Sequence, residues 1–190
     1  VNPFHYPGFS GSLYAIKDPD RLHPVVQGDS DEAPDVLIGR FLAAAHKHGI
    51  KVMADLVVNH TAKDALLVEA HPDWFRRDSD GGLRSPRAVD PVDPRIETVW
   101  GDLAEIDYDR PEHRRAQVDY WRGRVRRYLD LGFRGFRCDA AYQVPSDLWA
   151  PLIAAARDAD PDVLFCAETL GCTMAQAEAL EAAGFDLMFN

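Results

Sequence analysis

The chain has 190 residues with 21 Lys+Arg against 31 Asp+Glu, a formal charge of −10. An acidic chain repels polyphosphates and anionic lipid, which sets aside nucleic acid and the membrane surface as partners. Hydrophobic residues at 46% and charged residues at 27% fit an ordinary globular protein, and no apolar run approaches the roughly 18–20 residues of a spanning helix.

Three cysteines, none spaced as CxxC, give no pattern for a disulfide framework or a zinc knuckle. The start, VNPFHYPGF, has neither a basic nor an apolar signal region, so a reducing cytoplasm is the expected location. It also lacks an initiator Met, which points to a piece of a longer protein.

In chain order, residues 35–48 place Leu37, Phe41, Leu42 and Ala45 on one helical face, with Gly49 as the stop and IKVMADLVV as a strand. The about fifty residues between Asn59 and Pro111 break this rhythm. Within them RRDSDGGLRSPRAVDPVDPR, residues 76–95, reads as irregular and solvated, either a surface excursion or a small inserted subdomain walling a cleft.

Residues 111–131 predict a helix with Val118, Trp121, Val125 and Tyr128 as its buried stripe, then Gly132 and the strand FRGFRCDAA. Residues 146–159 predict another helix, followed by the strand DVLFCAE. Thr173 and Gln176 form a capping box for a helix to Ala183, and Gly184 and FDLMF complete the pattern. Four strands alternating with four helices predict a parallel sheet of βα units. Strands near 51–58, 133–139, 162–168 and 185–189 supply half of an eight-stranded barrel, which takes about 250 residues. The expected class is α/β, part of a (β/α)8 TIM barrel, in preference to a smaller doubly wound sheet.

Side-chain parity then selects candidates. Asp55, Val57 and Asn59 share one face, Arg137 and Asp139 another, and Cys166 and Glu168 a third, so an Asp and a Glu end adjacent parallel strands at the edge where such sheets place their sites. One acid can attack or stabilise a cationic centre while the other shuttles a proton. Arg137, one pleat from Asp139, favours its ionised form, whereas Glu168 lacks such a partner and suits the acid. Arg137 and Asp139 also fit a purely structural ion pair, and Asp55 a buried hydrogen-bonding hub.

A second chemistry uses the strand-end acids to hold Mg²⁺ for proton abstraction, as in the enolase superfamily. Asn190 would supply a third ligand, but apart from Lys51 at an entrance no lysine lies on the strands to serve as base. Cys138, Cys166 and Cys172 read as buried or half-buried thiols without a histidine partner.

ADLVVNH (54–60), GFRCDAA (135–141) and AETLG (167–171) resemble, in order, three of the short motifs of the α-amylase superfamily, glycoside hydrolase family 13. YAIKDP (14–19) resembles the segment after that family's second barrel strand. The chain would then span about strands three to six. The resemblance implies a retaining double displacement with Asp139 as nucleophile and Glu168 as general acid/base. It also implies that Arg137 and His60 contact the substrate side of the site, with Asp55 as the structural aspartate of the first motif.

Asn59 matches a residue that ligates calcium in many members; no cofactor is required. The insertion would be a domain B at 61–102, dividing the barrel into 1–60 and 103–190. The expected substrate is an α-glucan or maltooligosaccharide, and Phe4, Tyr6 and Phe9 of the opening loop either stack on its rings or pack locally. After Asp139 this chain has AAYQ where many amylases have AAKH, which places Tyr142 among the acceptor-side residues. The family's third acid has no counterpart before Asn190, so the chain as it stands is expected to be inactive.

GSLYAIK (11–17), VEAHPDWF (68–75) and VPSDLW followed by LFCAE resemble the maltosyltransferases that use maltose 1-phosphate to extend α-1,4-glucans. An ordinary α-glucan hydrolase and a non-catalytic carbohydrate-binding or assembly relative are the other readings.

Overall fold

A computed structural model describes residues 1–89, 93 and 95–190; Asp90, Pro91, Val92 and Pro94, part of the stretch expected to be solvated, lie outside the described residues. The chain opens with β1 (His5–Pro7) antiparallel to β2 (Ile16–Leu22), followed by α1 (Pro24–Gln27), α2 (Pro34–Lys47) and β3 (Met53–Leu56). The long interval holds β4 (His60–Ala62), α3 (Leu66–Ala70), β5 (Arg87–Val89), β6 (Glu97–Val99) and β7 (Leu103–Glu105). Then come α4 (Pro111–Leu131), β8 (Gly135–Cys138), α5 (Ser146–Ala159), β9 (Leu164–Glu168), α6 (Met174–Ala183) and β10 (Leu187–Phe189).

Local chemistry sets the helix ends. Pro34 and Pro111 occupy first turns, where a missing N–H costs nothing. Gly132 (φ 115) closes α4 in the left-handed region, and the Phe133 amide reaches back to the Tyr128 carbonyl at 3.1 Å. The Thr173–Gln176 capping box forms as predicted.

β3, β8, β9 and β10 make one all-parallel sheet in that spatial order. Each strand lies beside its predecessor and the order never reverses. Right-handed crossovers then put the connecting helices on one face, which is barrel winding; a doubly wound sheet reverses direction at a switch point. The fold is therefore part of a (β/α)8 barrel, as predicted.

The helix-facing side of this arc carries the core. Ala54, Leu56, Phe136, Cys138, Phe165 and Ala167 alternate along the strands at no more than 2% exposure, and Trp149, Leu152 and Ile153 of α5 are buried with them. The Phe136 and Phe165 rings lie 5.1 Å apart, and Trp149 meets Phe185 edge-on at 5.2 Å. Gly135 is required by a close approach: a Cβ there would stand 2.8 Å from Met53 Cγ and 3.0 Å from the Leu164 carbonyl. On α4, Trp121, Val125 and Tyr128 are buried as predicted, and Val118 packs at the margin.

Several expectations need correction. The opening segment is a hairpin, not a loop: Phe4 is a core residue stacked 5.7 Å from Phe133, and Arg21 sits 4.0 Å over the Tyr6 ring, while Phe9 stays 70% exposed. On α2 the buried stripe is Ile38 and Leu42, with Phe41 47% exposed, because the helix meets its neighbours along a narrower strip than the sequence periodicity suggests. The stretch read as irregular contains β5 paired with β6. Apart from these corrections, Trp74 and Phe75 of HPDWF are core aromatics. Among the described residues no helix is long and apolar enough to cross a membrane.

Phe165→Ala should lower the unfolding free energy by about 3–5 kcal/mol, read as a urea midpoint shift at constant slope. Phe9→Ala should stay within about 0.5 kcal/mol. Equal effects would remove Phe165 from the core.

Candidate active site

The strand register brings the predicted acids to one place. Asp55 pairs with Arg137 and Arg137 with Cys166, so these three form a row across β3, β8 and β9 on the face opposite the core. The Asp139 amide continues the ladder by donating to the Leu56 carbonyl at 3.1 Å. That sets Asp139 one pleat above Arg137, in line with Glu168 at the end of β9.

Arg137 joins all three acids. Its Nη1 donates to Asp55 Oδ1 at 2.9 Å and Oδ2 at 3.1 Å, and to Asp139 Oδ1 at 2.7 Å. Its Nη2 lies 2.9 Å from Glu168 Oε2, which also accepts from the Ala140 amide at 2.9 Å. The expectation that Glu168 lacks a cationic partner is therefore overturned: a planar guanidinium offers donors in two directions and bridges neighbouring strands.

The effect on Asp139 also differs from expectation. Burial pushes its carboxyl up to about 6, against the pull of Arg137, and the nearby Glu168 and Asp55 charges push the same way. Arg137 limits this rise without cancelling it, because one cation serves three carboxylates. Burial likewise raises Asp55.

Asp139 is followed by a strained residue. Ala140 has φ 40 and ψ 46, and among the described residues it is the only one other than glycine with positive φ. This conformation turns the chain sharply from β8 into the turn Ala141–Gln143 and aims the Ala140 amide at Glu168.

His60 begins β4 instead of the expected loop, and its backbone register is opposite Glu105 of β7. It is 6% exposed, and burial lowers its imidazole to about 4, outweighing the Tyr14 carbonyl and Asp102, so it is neutral at pH 7. The Tyr14 carbonyl lies near the ring, but neither ring nitrogen makes a well-formed hydrogen bond among the described residues. His60 and Asp55 both line a cavity of about 30 Å³, with room for a buried water and not for a sugar ring. Tyr108 steadies the loop after β3: its hydroxyl donates to the Val58 carbonyl at 2.5 Å and accepts from Trp121 Nε1 at 2.9 Å.

Tyr142 stands half-buried in the turn after Asp139, its hydroxyl accepting from Gln143 Nε2 at 3.3 Å. Asn59 Nδ2 donates to Gln143 Oε1 at 3.4 Å, and Asn59 Oδ1 is buried without a partner among the described residues. Calcium requires six to eight oxygens, carboxylates usually among them. No group of three His, Cys, Asp or Glu side chains among the described residues could hold a metal ion. One amide oxygen beside a glutamine does not make such a cage, nor do the strand-end acids make the Mg²⁺ site considered above, so no step is routed through a metal. All three cysteines are free, Cys138 buried and the others half-buried.

Sequence reasoning missed two groups around Arg137: the rings of Tyr14 and Phe189 lie 5.9 and 5.7 Å from its guanidinium carbon. Phe189 had a signal in the sequence, since it ends the predicted strand FDLMF, and the structure pairs it opposite Glu168. Tyr14 had none, because its hairpin is remote in sequence.

Residues 1–75 match the family described as "Glycogen debranching enzyme, glucanotransferase domain". The α-1,4-glucan:maltose-1-phosphate maltosyltransferase of Burkholderia pseudomallei is 28% identical over 92% of this chain and 15% of its own length. The α-amylase MalA of Haloarcula japonica is 30% identical over 69% of this chain and 19% of its own. Among solved structures, an α-amylase from Lactobacillus plantarum superimposes with a TM-score of 0.74 at 27% identity, covering 99% of this chain and 43% of that one. The chain thus spans less than a quarter of the length of these two curated relatives.

The strain at Ala140 makes a test of the local geometry. Ala140→Gly should fold within about 1 kcal/mol of wild type, whereas Ala140→Val should lose on the order of 1–3 kcal/mol in denaturant titrations. Indifference to valine would mean that the left-handed turn is not populated.

Proposed function

We infer the activity of this chain from its membership: it belongs to the α-amylase superfamily, glycoside hydrolase family 13, and within it resembles the maltosyltransferases. The protein containing it acts on α-1,4-glucosidic bonds by a retaining double displacement. The observation that carries this reading is the single guanidinium shared by Asp139 and Glu168. A guanidinium shared in this way keeps both carboxyl groups at one centre, as the attacking carboxylate and the acid/base of the retaining course that the superfamily resemblance implies.

In the first step an Asp139 oxygen attacks the anomeric carbon while Glu168 gives its proton to the departing oxygen. The glycosidic bond breaks and a glycosyl ester forms. In the second, ionised Glu168 takes a proton from the acceptor hydroxyl, which attacks the same carbon and releases Asp139. Arg137 stabilises carboxylate charge in both steps, and neutral His60, though only 6% exposed, is the residue that the superfamily resemblance assigns to a sugar hydroxyl. The described residues of the insertion at 61–102 wall the cleft, and Tyr142 faces the acceptor side.

Transfer is favoured over hydrolysis by the maltosyltransferase relatives, six of which match 83–92% of this chain at 27–30% identity. Maltose 1-phosphate is then the donor, and the 4-hydroxyl of an α-glucan end the acceptor. The hydrolase reading rests on MalA.

The complete reading frame and its Glu168→Gln variant, incubated with glycogen and inorganic phosphate, separate these outcomes. A sugar-phosphate signal by phosphorus NMR in wild type alone supports transfer. Free maltooligosaccharides without phosphate ester make the protein a hydrolase. Identical behaviour of both proteins removes Glu168 from the chemistry and favours a binding role.

The nucleophile must be ionised and burial holds Asp139 near 6, so kcat/KM should fall as pH drops through about 6. An acid limb near 4 would show that Asp139 is not the group titrating.

A further inference from the structure

The Tyr14 hydroxyl donates to Asp55 Oδ2 at 3.0 Å, an oxygen that also accepts from Arg137 Nη1 at 3.1 Å. Nη1 has two protons and three acceptor oxygens within reach, two on Asp55 and one on Asp139. How it divides between the two acids therefore depends on what else satisfies Asp55. Asp55 is 6% exposed, so water is a poor substitute there.

Tyr14 is held for this task. Its amide donates to Ser12 Oγ at 3.3 Å, and the Gly8 amide closes the hairpin loop onto the Ala15 carbonyl at 2.8 Å. Its phenol is pushed up to about 12 by burial and by Asp55, so it remains a donor across the working pH range. The ring also stands 5.9 Å from the Arg137 guanidinium carbon, within cation–π range.

We infer that Tyr14 is a positioning residue for the reaction: by hydrogen-bonding Asp55 it keeps the Arg137 guanidinium aligned on Asp139 and Glu168. This rests on the reading of that site as catalytic. Without the phenol, Asp55 draws Nη1 toward itself and Asp139 loses its closest cation. The charged groups facing Asp139 are then Glu168, Asp55 and a displaced Arg137, a set that raises its carboxyl further.

The test is Tyr14→Phe in the complete protein, which keeps the ring and removes one oxygen. Misplacement by an ångström costs on the order of 10²-fold, so kcat should fall about 10- to 100-fold, with KM within about twofold. The acid limb of kcat/KM should move to higher pH. A variant that melts earlier but keeps kcat and the limb would reduce Tyr14 to a structural role and overturn the inference. A crystal structure of the variant decides the matter without activity: Arg137 Nη1 should leave hydrogen-bond distance of Asp139 Oδ1, and an unchanged contact overturns the inference. Should wild type act on no α-glucan, the functional reading fails while that structure still tests the geometry.

Discussion

Everything at the strand ends depends on one guanidinium serving three carboxylates. Asp55, Asp139 and Glu168 come from β3, the end of β8 and β9, and Arg137 touches each within 3.1 Å. Half-buried charges are tolerated when paired, and removing the shared partner would strand three acids at once. Burial leaves Asp139 raised instead of lowered, and one cation shared among three acids does not cancel it. Stability and reactivity thus share an origin: the site is held together by an ion cluster that never fully neutralises its own acids.

That cluster needs a rigid frame. The helix-facing side of the sheet supplies one through fully buried aromatics such as Phe136, Phe165 and Trp149. Gly135 lets β8 run close beside its neighbours, so the side chains two and four residues later meet those of β3 and β9. At the far side, β4 paired with β7 and the Tyr108–Val58 bond fix the chain after β3, which is where His60 is presented. Arg84 paired to Glu105, and Arg76 near Glu105, Asp107 and Asp109, tie the excursion back to the start of α4.

Much of this was legible beforehand. Period-2 parity correctly placed Arg137 and Asp139 on one face of their strand, because strand geometry leaves no alternative once the strand is identified; that Asp55 lies beside Arg137 came from the register of β3 against β8. The helix of residues 146–159 and the Thr173 capping box came out as read, since their signals lie within a few residues. The hairpin at residues 5–22 did not: its strands are short and its pairing register shifts twice, so no alternation marks it. Gln117 shows the same limit. A glutamine on a helix reads as solvent-facing, yet it is fully buried and donates to the Asp107 carbonyl at 3.0 Å.

The sequence by itself determined the βα order, the faces of the strands and the acids at their ends, because these follow from local periodicity and from strand parity. Only the tertiary structure decided how charge is shared among those acids. Whether Arg137 serves one carboxylate or three, whether burial or attraction governs Asp139, and whether Tyr14 reaches Asp55 from a hairpin 41 residues away depend on through-space distances and on exclusion of water. Neither is encoded in any short stretch of chain.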